Sequence, residues 1–272
     1  MQADRITSTK MTDNKPDLLD TTMSLGDHLE ELRARVILAL AGFVGAFILA
    51  VAFGKVIISF IEGPYVSVMG QEARLQSLAP ADGFTTYMEI AMIAAVVVSS
   101  PWIFYQLWMF VATGLYPHEK RYIYLAVPLS AGLFITGALF FIFVIAPTTL
   151  KMLVLFNKEV LGVASNFTFK DYVSFINIMM LVFGITFQTP IAIFFLNKTG
   201  LISVEAFCKS RRFVMLGAVV LAAVATPGSD MFSLFALAIP MYLLFELGIL
   251  LSYLSNRRLK KNSAESNLIK SD

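Results

Sequence analysis

Glu31, in the stretch His28-Leu29-Glu30-Glu31-Leu32-Arg33, and Glu119, in Leu115-Tyr116-Pro117-His118-Glu119-Lys120-Arg121, are the carboxylates whose placement suggests chemistry. Each lies just outside a long segment free of charged residues. Two carboxylates held at one face of a rigid scaffold suit a partner that carries paired positive charges, because carboxylate and guanidinium meet through two parallel hydrogen bonds. Taken singly, neither glutamate is specific. Glu31 and Arg35 have the i,i+4 spacing of an ordinary surface ion pair, and Glu119 is flanked by Lys120 and Arg121 in a short polar loop. The elements that carry them must decide.

With 57% apolar and 15% charged residues in 272 and a mean hydropathy of +0.74, the chain departs from soluble domains, in which about a quarter of residues are charged. Its charges cluster between long apolar runs, as in a polytopic membrane protein. The net charge of +2 and the lack of a basic stripe interleaved with aromatics argue against nucleic acid. Cys208 is the single cysteine, which excludes an intrachain disulfide and a cysteine-based metal cage. Residues 1–22 are polar and of mixed charge and read as a disordered tail; 23–255 form the membrane domain and 256–272 a basic tail.

Segments 36–53, 90–115, 122–149 and 172–197 lack Asp, Glu, Lys and Arg and are long enough to cross a bilayer. Segment 213–226 is short, reaching roughly 21 Å against a hydrocarbon core of about 30 Å. Segment 231–253 is long enough but holds Pro240 and Glu246. The turn Pro227-Gly228-Ser229-Asp230 joins the last two as a re-entering pair, so the expectation is an all-α fold of six transmembrane helices. An even number puts both termini on one side. That side carries sixteen of the 21 Lys and Arg residues, so the positive-inside rule places both ends, and with them Glu31 and Glu119, in the cytoplasm. The outer loops are then about 54–89, 148–171 and 227–230. Pro101, Pro128, Pro147, Pro190 and Pro240 each remove a helix hydrogen bond and favour kinks, so a curved, concave arrangement is expected rather than a straight bundle.

Polar groups inside hydrocarbon are costly when unpaired. Gln188, two residues before Pro190, is read either as a packing residue that bonds across helices or to freed carbonyls, or as a partner contact. Glu246 snorkels or pairs with a polar group, and Asp230 is expected to cap the last helix. Tyr105, Trp108, Phe110 and Tyr116 suit interfacial anchoring. His28 and His118 are the only histidines. There is no HExxH, phosphate-cradling glycine loop or nucleophile elbow, and glutamine cannot act as an acid or base, so catalysis is not expected and no metal or organic cofactor is implied. A transporter using Gln188 and Glu246 is a competing reading, but residues 36–149 and 172–253 show no internal repeat of the kind common in transporters.

The motifs HLEELRAR at 28–35, SPWIFYQLWMFVATGLYPHEKR at 100–121, FGITFQTPIAIFFL at 183–196 and ATPGSDMFSLFALAIPMYLLFELG at 225–248 together resemble the TatC family, the multispanning receptor subunit of the twin-arginine protein translocase, over about residues 24–255. The resemblance implies binding of twin-arginine signal peptides of folded cargo proteins and export driven by the proton-motive force. It implies partnership with single-span TatA/TatB-type subunits and copies of the same chain, in the cell inner (plasma) membrane. It places the signal-peptide site at Glu31 and Glu119, with Leu32, Arg33 and Phe110 beside them. It puts a partner helix against the final two helices, with 231–253 as the surface, near Gln188, Met231 and Glu246, and makes Pro101, Pro190, Asp230 and Pro240 structural positions. Gln188 departs from the glutamate common at that place in the family, which removes a titrating carboxyl while keeping size and hydrogen-bonding capacity.

Overall fold

The structure, a computed structural model, describes residues 25–70, 74–114, 121–225 and 231–269. These form ten α-helices: α1 Leu25–Ala52, α2 Gly54–Met69, α3 Asp82–Thr113, α4 Arg121–Phe140, α5 Ala146–Phe156, α6 Phe169–Thr186, α7 Thr189–Lys198, α8 Val204–Lys209, α9 Arg211–Ala225 and α10 Met231–Ile269. π-Helical turns at Phe141–Ile145 and Asn157–Leu161 join α4 to α5 and extend α5. Among the described residues five stretches are long and apolar enough to cross a membrane: Gly26–Ala52, Asp82–Thr113, Ile123–Leu161, Phe169–Lys198 and Leu234–Ser255. Of the six expected spans, 213–226 is not among these; it forms α9, whose 15 residues reach only about 22 Å.

The expected outer loop 54–89 holds an additional helix, α2. Lys55 and Glu62 interrupt its apolar run, so it does not read as a span. It lies instead against the protein, burying Ile61, Pro64 and Tyr65. Tyr172 at the start of α6 donates its hydroxyl to the Ile61 carbonyl (2.7 Å) and its ring sits beside Tyr65. An isolated parallel bridge between Gln76 and Thr168 and a Lys170–Asp82 ion pair at 3.7 Å tie the segment before α3 to the segment before α6. These contacts gather the starts of α3 and α6 at one end of the molecule.

The spans pack around α3, α4 and α6, which contact one another. α1 lies along α3, α10 contacts α7, and α9 lies on α10. The α1–α3 seam is made of small residues: Ala46 and Ala50 face Ala91 and Ala95. A Cβ on Gly42 would fall 2.2 Å from the Trp102 ring, so only glycine admits that indole, whose Nε1 donates to the Leu38 carbonyl (2.8 Å). In hydrocarbon, where no water is expelled, such close approach of backbones is what gains contact energy. The α4–α6 seam follows the same rule with Gly137 and Gly184, and the core behind it holds the fully buried Phe141, Ile176, Met179 and Phe183.

The prolines act unequally. α3 runs unbroken through Pro101 and α10 through Pro240. Pro101 has no N–H for the Val97 carbonyl, and the hydroxyl of Ser100 supplies the missing donor at 2.7 Å, a repair available to a Ser-Pro pair inside a membrane helix. At Pro190 the helix divides: α6 ends at Thr186, Gln188 occupies the N-cap and α7 restarts. Pro147 likewise opens α5 after the first π turn. Asp230 and its expected cap lie outside the described residues, as do residues 1–24. α10 continues as a helix to Ile269, through most of the basic tail.

Gly137→Ala tests the α4–α6 seam. Its Cβ would lie 2.8 Å from the Phe183 carbonyl oxygen, a backbone atom that cannot move aside alone. The expected cost is about 1–3 kcal/mol, seen as a lower thermal midpoint of the detergent-solubilised protein, whereas Gly132→Ala, where a Cβ meets open space, should leave the midpoint unchanged.

Candidate functional site

Glu31 lies in the second turn of α1, and its half-buried carboxylate is held from two directions. Arg35, one turn on, donates Nε to Glu31 Oε1 at 2.6 Å. The same guanidinium donates Nη1 to Oε1 of Gln106 on α3 at 3.1 Å, and Gln106 is buried. An i,i+4 pair at a helix surface is worth about 0.3–0.5 kcal/mol, too little to organise this face. The anchor to Gln106 changes that. It fixes Arg35 against a neighbouring helix, and Arg35 in turn fixes the rotamer of Glu31.

The end of α1 is clamped to the end of α3 by a second set of contacts. The His28 ring stacks on Phe110 with centroids 4.5 Å apart, an arrangement worth about 0.5–1.5 kcal/mol for an aromatic pair. His28 Nδ1 is 3.3 Å from the Thr113 hydroxyl, which also donates to the Phe110 carbonyl. Thr113 is the last residue of α3. Leu32 and Arg33 remain exposed on the outer face of α1. The chain segment carrying Glu119, with Pro117 and His118, lies outside the described residues; α4 resumes at Arg121. The structure therefore brings Glu31, Phe110 and the departure point of the Glu119 segment together, with Leu32 and Arg33 at the rim.

A second polar group runs through the central helices. Gln188, at the α6–α7 break, donates Nε2 to the Ser130 carbonyl on α4 (2.9 Å). The Ser130 hydroxyl accepts from Trp108 Nε1 on α3 (2.9 Å), and both partners are buried. Of the two readings open for Gln188, its amide nitrogen serves the packing one. Glu246 on α10 is paired: Arg211 at the start of α9 donates Nη2 to Oε2 (2.8 Å), and Tyr242 donates its hydroxyl to Oε1 (2.7 Å). Met231 is exposed at the first residue of α10. Among the described residues no group of three or more His, Cys, Asp or Glu is placed to hold a metal ion.

Gln106, Ser130 and Arg211 are the partners that sequence reasoning missed. Gln106 was detectable by the argument applied to Gln188, since it too is an amide inside an uncharged span. Ser130 and Arg211 carried no such signal. A serine inside a helix satisfies itself, and an arginine at a helix end is ordinary.

Comparison with known proteins supplies the family. A family model described as Sec-independent protein translocase protein (TatC) matches residues 27–240. The proteins of that name from Frankia casuarinae and Escherichia coli are 35% and 34% identical to this chain. The first match covers 91% of the chain and 70% of the relative, the second 86% and 90%. A crystal structure of the twin-arginine translocase receptor TatC superposes with a TM-score of 0.76 at 32% identity, covering 84% of this chain and 99% of that one.

Gln106→Leu should remove the acceptor that holds Arg35 and lower unfolding stability by about 1.5–3 kcal/mol, the range for hydrogen bonds to charged groups. Gln106→Glu, which keeps an acceptor, should retain the wild-type thermal midpoint; equal losses in both variants would show that the residue acts by packing alone.

Proposed function

The chain belongs to the TatC family of Sec-independent protein translocase proteins and is the receptor component of the twin-arginine translocase, a multi-pass protein of the bacterial plasma membrane; from that premise we propose that it binds twin-arginine signal peptides through the carboxylates of Glu31 and Glu119. It is a transport protein and not an enzyme. The observation that carries the site is the clamp between α1 and α3. Glu31 is held in one orientation by Arg35 and Gln106, and His28 binds the same turn of α1 to Thr113, six residues before Glu119 in sequence.

Arginine chemistry fits this arrangement. An incoming guanidinium meets a carboxylate that already accepts one charged donor from Arg35. A planar fork can take the remaining lone pairs bidentately, whereas an ammonium offers only point contacts. Two such carboxylates select a pair of arginines over one. Leu32 and Phe110 supply apolar surface beside the charges, and exposed Arg33 repels misplaced cations at the rim.

The orientation follows from charge. With sixteen of 21 basic residues on the side of the termini, both ends, Glu31 and Glu119 lie in the cytoplasm. The short α9 completes six crossings of a curved, concave molecule and locally thins the bilayer. Gln188, Met231 and Glu246, with the length of α10, form the face for a single-span TatA/TatB-type subunit, and several copies of the chain assemble in the complex. The assembly moves folded proteins outward using the proton-motive force.

Replacing Glu31 or Glu119 by Lys should abolish photocrosslinking of a twin-arginine signal peptide in membrane vesicles. Unchanged crosslinking in both variants would sink the site assignment. For the topology, a Ser229→Cys substitution in a Cys208→Ser background should react with an impermeant maleimide added to intact spheroplasts. Labelling confined to inverted vesicles would overturn the orientation.

A further inference from the structure

The ion pair on Glu31 puts a resident cation where a peptide ligand would bring its own. Arg35 donates Nε to Glu31 Oε1 at 2.6 Å, and the two side chains keep 23% and 29% of their surface exposed. This is guanidinium on carboxylate, the contact a peptide arginine would make, and it engages a single carboxylate oxygen. The same guanidinium donates Nη1 to Gln106 Oε1 at 3.1 Å. Gln106 is 2% exposed, so that acceptor is fixed in the packed face of α3. Arg35 therefore stands on two supports, one charged and partly exposed, the other neutral and buried. Releasing the first keeps the second, so the guanidinium can leave Glu31 without becoming an unpaired polar group. Glu30 and Arg33, in the same turn of α1, are exposed and screened by solvent.

We propose that Arg35 is an internal competitor for the Glu31 carboxylate: it keeps the empty site neutral, and a bound peptide arginine displaces it onto Gln106 alone. The proposal rests on the assignment of Glu31 as a signal-peptide ligand and adds a threshold to it. The Glu31–Arg35 pair carries no net charge, so a lone cation gains little by approaching it. A peptide guanidinium does gain, because a planar fork on both oxygens replaces a contact that used one. An ammonium exchanges one point contact for another and gains nothing. Arg35 thus raises the cost of entry for every cation, and only a ligand with strong fork contacts repays it. Discrimination of this kind is built from repulsion as much as from attraction. If Arg35 served only to orient Glu31, its removal would weaken binding; as a competitor, its removal strengthens it.

The test measures equilibrium binding of a fluorescent twin-arginine signal peptide, and of the same peptide with twin lysines, to the full-length protein in nanodiscs. Arg35→Gln should bind both peptides about two- to fivefold more tightly, the scale of a partly exposed ion pair, and the gain should shrink as salt is raised. Arg35→Lys, which keeps a resident charge, should return binding towards the wild-type strength. Gln106→Glu should act in the same direction as Arg35→Gln, because a second carboxylate draws the guanidinium away from Glu31. Weaker or unchanged binding in Arg35→Gln at a wild-type thermal midpoint would overturn the proposal while leaving Glu31 as the ligand. Should that variant fail to fold, the same outcome in Gln106→Glu overturns it. Failure of the underlying site reads differently: Glu31→Gln would then bind the twin-arginine peptide at wild-type strength.

Discussion

Inside hydrocarbon a polar group has no water to fall back on, and this constraint organises the described structure from end to end. Many intramembrane polar side chains are spent on a neighbour, although the buried side chains of Thr86, Thr149, Asn177 and Ser252 have no hydrogen-bond partner among the described residues. Ser100 replaces the donor that Pro101 lacks. Gln188, Ser130 and Trp108 form one relay across α7, α4 and α3. Glu246 is enclosed by Arg211 and Tyr242. In water such bonds would contribute about 1 kcal/mol each. In lipid the alternative is an unsatisfied group, so they also decide which helix lies beside which.

Because apolar side chains gain nothing by leaving lipid for protein, the helices meet through their smallest residues. Alanines and Gly42 bring α1 against α3, and Gly137 and Gly184 bring α4 against α6. Large residues such as Ile48, Val98 and Leu216 point outward, where acyl chains serve as their solvent. Many large apolar residues are left on outward faces open to lipid or to other membrane helices. The junction of α1 with the end of α3 is stiffened differently, by the His28–Phe110 stack and the Glu31–Arg35–Gln106 chain.

Much of this was legible in the sequence. Four uncharged segments announced four of the five long spans; the short segment 213–226, counted as a sixth crossing, forms the helix α9, which is not among the five. The i,i+4 relation of Glu31 and Arg35 was readable from spacing alone. The helix α2 was not, because its two charges hide it from a search for uncharged runs, while its burial depends on Tyr172, 111 residues from Ile61. The prolines misled in part. Their chemistry predicts lost hydrogen bonds, but the helix divides at Pro190 and runs on through Pro101, where Ser100 donates to the Val97 carbonyl, and through Pro128 and Pro240.

Composition and charge spacing by themselves determined that the chain is a multi-pass helical membrane protein, and the motifs fixed its family, since both are properties of residues near one another along the chain. Only the tertiary structure decided what each polar residue is for. Whether the Glu31–Arg35 pair stands alone on one helix or is anchored to a second depends on Gln106, 71 residues beyond Arg35. Whether Gln188 packs and Glu246 is paired depends equally on Ser130 and Arg211. A carboxylate or amide in a membrane protein takes its role from the partner that satisfies it, and that partner is chosen by helix packing, which no local pattern of sequence records.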